Sequence, residues 1–395
     1  MKIGRFVVDG HIHCGKKDVT NKDSKVAGFN QEVESCDNSD EALYDMGVYD
    51  IDMGILLPSF NGTHSTEYAN ICKKHPDRFR TCAEETELRL DAMHGKRKWN
   101  IDDAIKELEG YFTGPDKEYF VGIGEFCPGS LGCVRDMPSK KQRFEEWCAT
   151  AEFCIAFDIP CYAHEFSSFN LEEPLTMLAC LCSKYPEFKL IIAHGGGSKA
   201  VDIEKTVEMA SRFENVYLET GYWKAEYYEF ALRSEDLGAA KLIWGGGDTG
   251  SHLWYPQINP GAVLTETNRV LHNRNNWIWT GSREVHYQPN YYGWTTHQIY
   301  KLLDMNMCTQ DEIDLIVGGN ACRLYKLPVP EAVTFMSARP DRNVMPEEIL
   351  YGSGKTPRTG FTCPPNVDFI AGVGINLGSD LDPWNRDGDP WNSEE

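Results

Sequence analysis

The 395 residues carry 39 basic and 60 acidic side chains, a formal net charge of -21, with 41% hydrophobic and 25% charged residues. This balance is that of a soluble globular protein, and the acidic excess argues against nucleic acid, whose phosphates are met by basic patches. No apolar run approaches the roughly 20 residues of a membrane span.

The N-terminal Met1 to Arg5 leads into only three apolar residues before Asp9, too short for a signal peptide core. The 14 cysteines form no Cys-x-x-Cys pair and fall among apolar helix and strand patterns, which fits a reducing compartment. A cytoplasmic location is expected. The length allows one large barrel with insertions or two ordinary domains.

In chain order, short β-rich runs alternate with helical patterns, the signature of a parallel α/β fold. Eight strands are predicted: 6–13, 53–58, 79–84, 119–126, 160–164, 189–194, 216–220 and 241–244. Helices are predicted at 65–75, 101–112, 140–157, 174–185, 200–213 and 226–233. Phe144, Trp147, Cys148, Ala151 and Ile155 recur at helical spacing, and Thr309-Gln310-Asp311-Glu312 reads as a capping box opening a last helix. Strand and helix in alternation, eight times over, predict a (β/α)8 barrel over residues 1–328.

Two stretches interrupt the pattern. Residues 251–295 are rich in Trp and Tyr and would lie over the barrel mouth, as a substrate lid or a dimer contact. Residues 329–395, rich in Pro, Gly, Asp and Asn, read as an extended tail packed on the barrel or on a neighbouring subunit.

The first strand ends Asp9-Gly10-His11-Ile12-His13. Alternation puts His11 and His13 on one face. Two imidazoles at a fixed separation are half a metal site, though hydrogen-bonded histidines at a strand end read the same way. A barrel brings every strand end to one mouth. Strand four ends at Glu125, strand five at His164, strand six at His194, and the eighth runs through Gly245-Gly246-Gly247 to Asp248. Histidine and carboxylate donors from separate strands suit a catalytic zinc or manganese with an open position. Cys14 points to the opposite face and is expected in the core.

The runs VDGHIH, YAH, IIAHGGG, WGGGD and IVGGNACRLYKL, in this order, resemble the metal-dependent amidohydrolase superfamily. The branch they resemble is the one related to aminocarboxymuconate semialdehyde decarboxylase, over about residues 6–328. The resemblance implies a deformed barrel with one or two divalent metals at its mouth. It implies His11, His13, His164 and Asp248 as metal ligands, Asp248 doubling as the proton-transfer group. It implies His194 as a second-metal ligand or a hydrogen-bond donor to substrate. Glu125 occupies the place of the bridging ligand in two-metal members, the alternative being a buried glutamate paired with arginine. The chain departs from the branch at Thr249-Gly250-Ser251-His252, and its insertion and tail are longer than usual. His252 and Arg283 are candidate substrate contacts.

These residues lead to a metal-dependent hydrolase using an activated water on a small carbonyl substrate: an amide, lactone or ester. A non-oxidative decarboxylase of an aromatic or muconate-type acid is the alternative. A barrel that binds metal without catalysis is the third reading. A homodimer is expected, as in most relatives.

Overall fold

A computed structural model describes residues 3–14, 16–18, 33–35, 37, 39–58, 64–129, 135, 138–164, 172–196, 200–221, 223–234, 236–246 and 291–335. Among them, eight strands form one parallel sheet, each bonded to the next in chain order. They are β1 (Val8–Ile12), β2 (Met53–Leu56), β3 (Phe79–Ala83), β4 (Phe120–Phe126), β5 (Cys161–Ala163), β6 (Leu190–Ile192), β7 (Val216–Glu219) and β8 (Leu242–Ile243). The Gly10 N–H donates to Trp244 O at 2.9 Å, so β1 meets the end of β8 and the sheet nearly closes. This is the predicted (β/α)8 barrel.

Parallel neighbours require crossovers, and helices supply them. Helix α1 (Ser39–Val48) precedes β2, and α2 (Ser65–Lys74) precedes β3. Two helices, α3 (Thr86–Met93) and α4 (Ile101–Thr113), separate β3 from β4. The remaining crossovers are α5 (Lys140–Phe157), α6 (Glu172–Lys184), α7 (Ala200–Arg212) and α8 (Ala225–Leu232). The local causes are visible. Asn100 caps α4 by accepting from Asp103 N–H, and Ala104, Leu108 and Phe112 form its buried stripe. Ser139 caps α5 in the same way, and Asp158 ends it in the left-handed region at φ 50°.

The core has two layers. Phe79, Phe126, Trp147, Leu178, Phe188 and Leu218 pack between strands and helices. Val8, Met53, Ile55, Tyr162, Ile191 and Ile243 face inward, joined by Ala321, Leu324, Tyr325 and Leu327. Each large apolar side chain buried there contributes about 1.5–3 kcal/mol.

The capping box is present: Thr309 accepts from Glu312 N–H, and Glu312 accepts from Thr309 N–H at 2.8 Å. Helix Tyr291–Asp304 takes in the last residues of the predicted insertion. Residues 251–290 of the insertion and 336–395 of the tail lie outside the described residues. The start of the tail packs on the barrel, with Val329, Val333 and Phe335 against the inner layer. Among the described residues no helix is long and apolar enough to cross a membrane.

Candidate metal centre

Strict alternation along β1 would turn His11 and His13 away from the barrel axis, because Val8 already faces inward. The ladder shows why they do not turn away. Asp9 pairs with Gly54 and Ile12 with Leu56, three residues against two, so β1 holds one extra residue. Ile12 therefore joins the outer layer, and His11 and His13 face the mouth. The same device recurs in β4, where Ile123 pairs with Cys161 and Phe126 with Ala163. Ile123 and Phe126 both pack outward, which turns Glu125 inward between them.

The result is a ring of donors around one carboxylate. Glu125 Oε1 lies 3.3 Å from His11 Nε2, 3.7 Å from His164 Nε2 and 3.6 Å from His194 Nε2. Its Oε2 lies 3.3 Å from His13 Nε2.

Hydrogen bonds behind the rings fix their tautomers. The Leu57 carbonyl can only accept, so His13 Nδ1, 3.0 Å away, carries the proton and Nε2 presents a lone pair. His11 Nδ1 stands 3.2 Å from Glu219 Oε2, which likewise places the proton on Nδ1. The two Nε2 lone pairs then face each other at 3.0 Å. Such a contact is repulsive unless a cation sits between them. Two nitrogens bound to one ion at about 2.0–2.1 Å stand roughly 3 Å apart, so the donor set fits a divalent metal. Three groups have donor atoms within 4.8 Å of one another: His11, His13 and Glu125; Glu125, His164 and His194, which share Glu125; and His11, His194 and Glu219.

Sequence reasoning missed Glu219 and Asp9. Glu219 is buried at the end of β7. Its Oε2 accepts from His11 Nδ1–H and, at 2.8 Å, from the backbone N–H of His194. Asp9 is also buried, and its Oδ1 accepts from His11 N–H at 3.0 Å and Gly246 N–H at 2.8 Å. Burial pushes its carboxyl up to about 7, against the pull of Tyr292 and those two N–H groups. Asp9 thereby ties β1 to the loop that leads to Asp248. Asp248, His252 and Arg283 lie outside the described residues. Cys14 is buried in the outer core layer.

A second charged cluster lies just past β3. Arg89 is shared by Glu84, at 2.9 Å, and Glu85, at 3.1 Å, and all three are buried. Burial pushes the Glu84 carboxyl up to about 8. Arg89 offsets only part of this, and Glu85 and Glu125 add repulsion. Between the ordinary value of 4.5 and about 8, the folded chain holds a proton that the unfolded chain has lost. Stability therefore falls as pH rises through that window. Glu84→Gln should flatten this slope in thermal melts taken from about pH 5 to about pH 8; an unchanged slope would assign it to another group.

The parallel barrel gathers imidazoles and a carboxylate from β1, β4, β5 and β6 at its mouth, a donor set able to hold a divalent metal. Comparison with known proteins adds a likeness to one family. The amidohydrolase family model matches residues 133–327, which takes in His164, His194 and Asp248 and begins after Glu125. The match spans just under half of the chain and marks a likeness to the amidohydrolase family over that part. No curated protein matches it.

Solved structures similar to it include a probable 2-pyrone-4,6-dicarboxylic acid hydrolase from Acinetobacter baumannii with citric acid bound. It is 14% identical over 81% of this chain and 99% of that one, at a TM-score of 0.46. An amidohydrolase 2 from Bifidobacterium longum subsp. infantis is 15% identical over 82% and 99%, at 0.42. An amidohydrolase from Burkholderia multivorans with bound zinc is 11% identical over 82% and 100%, at 0.43.

Proposed function

We propose that the chain hydrolyses a small carbonyl compound, an amide, lactone or ester, at a site holding one or two divalent metals, zinc or manganese. The observation that carries this reading is the sharing of Glu125 between two donor triads. A bridging carboxylate suits water activation, whereas a decarboxylase manages with one metal. His11, His13, His164 and Asp248 are assigned as ligands, with Glu125 between the two halves of the site.

A divalent metal, when bound, acidifies water and polarises a carbonyl oxygen. The protein's own groups do the rest. Asp248, two residues beyond the Gly246 N–H that Asp9 holds, takes the proton of the attacking water and returns it to the leaving group. His194 directs Nε2 toward the same centre, as a further ligand or as a donor to the substrate oxygen. Arg283 offers a planar fork for a substrate carboxylate, and His252 a further contact.

The test is Asp248→Asn assayed on a panel of lactones, esters and amides, with metal content measured alongside. Turnover should fall by about 10²- to 10⁴-fold, the usual range for a lost acid–base group, while metal is retained. Retained turnover removes Asp248 from proton transfer. Release of carbon dioxide from an aromatic or muconate-type acid by the unmodified protein would make it a decarboxylase instead.

A further inference from the structure

The last residue of strand β7 does not reach Glu125's ring of imidazoles, yet it touches two parts of it. Glu219 Oε2 accepts from His11 Nδ1–H at 3.2 Å and from His194 N–H at 2.8 Å. Because Glu219 approaches His11 from the Nδ1 side, it stands behind the ring, opposite the Nε2 that faces His13 and Glu125. Glu219, His11 and His194 also have donor atoms within 4.8 Å of one another, but Glu219 meets His11 on the side away from His13 and Glu125, the place of a support. The Tyr162 hydroxyl lies 2.9 Å from the same Nδ1. Its oxygen can share the Nδ1–H with Glu219 as a second acceptor.

The backbone at His194 needs such a support. His194 sits in the left-handed region at φ 55° and ψ 15°, which is costly for a residue with a side chain. Both sides of that residue are held from the β7 end. Glu219 takes its N–H, and the Trp223 indole N–H donates to its carbonyl at 3.2 Å. The rings of His11 and His194 lie nearly parallel, 5.2 Å apart with 12° between their planes. Space for the carboxylate is reserved in the backbone: a Cβ at Gly245 would collide with Glu219 Oε1, and one at Gly221 would come to 2.7 Å. The glycines after β7 and β8 thus serve an acidic side chain.

We infer that Glu219 is a positioning residue that sets the angle of His11 and the turn of His194 together, coupling the two donor triads that meet at Glu125. This rests on the metal reading of the site. Its consequence is that removing the Glu219 charge weakens metal binding and loosens substrate alignment without removing any ligand.

The experiment is titration of metal-free protein with cobalt(II), followed by its visible absorption, for the unmodified chain, Glu219→Gln and Tyr162→Phe. Glu219→Gln should bind cobalt about 10- to 100-fold more weakly, the usual cost of losing a group that orients a metal-binding histidine, with a shifted spectrum. Tyr162→Phe, which removes a single hydroxyl, should show a smaller loss in the same direction. The Tyr162→Phe result decides the matter if the glutamine variant does not fold, and unchanged affinity in it would then overturn the inference. Cobalt bound equally well and with the same spectrum by Glu219→Gln overturns it directly. Failure of the unmodified chain to bind cobalt would remove the metal reading itself, a separate outcome.

Discussion

His11→Ala is expected to lower kcat/KM by about 10³-fold or more, the order associated with losing the groups that stabilise charge in the transition state. The reason is that His11 belongs to three relationships at once. Its Nε2 faces His13 Nε2 at 3.0 Å and Glu125 at 3.3 Å, and its Nδ1–H meets Glu219. Alanine deletes a candidate ligand and leaves Glu219 with one buried donor fewer. Steady-state kinetics with metal analysis checks this, with circular dichroism confirming the fold. A folded variant retaining activity within about tenfold would separate His11 from the chemistry.

Glu125→Gln is the second large effect. Glutamine keeps the shape and removes the charge at the one carboxylate that four imidazoles approach within 3.3 to 3.7 Å. The alternative of a structural glutamate paired with arginine does not describe this residue, whose ion-pair neighbours among the described residues are histidines. kcat/KM should fall by about 10²- to 10³-fold. The loss should appear mainly in kcat if Glu125 holds the reacting centre and mainly in KM if it only shapes the binding space. Undiminished kcat/KM would return Glu125 to structure.

The barrel was legible because its strands are short apolar runs alternating with helical patterns, and the α2 and α4 to α8 helices begin and end within two residues of where periodicity and caps place them. Helix α1 was not legible. It buries Ala42 and Met46 but exposes Tyr44 and Val48, so apolar residues lie on both faces and no clean stripe appears. Helix α3 is short and buries Arg89 beside Leu88, which reads as a polar loop.

At the site, the ends of β1, β4, β5 and β6 were readable because histidine is sparse and stands where strands stop. The extra residues in β1 and β4 were not, since a bulge changes which face a side chain takes without changing composition. Glu219 was missed for a related reason: an acid at a strand end looks like any solvated terminus. The signal lay elsewhere in the chain, in Gly221 and Gly245, whose missing side chains make room for its carboxylate.

On this reading the strand ends gather around divalent metal, with Glu125 between two halves of one site. Metal content per chain, measured on protein purified without chelator and compared with Glu125→Ala, tests it most directly. Two metals falling to one is the predicted result. A single metal unchanged by the substitution would contradict the bridging role and favour decarboxylation, and the absence of metal from the unmodified protein would contradict the site itself.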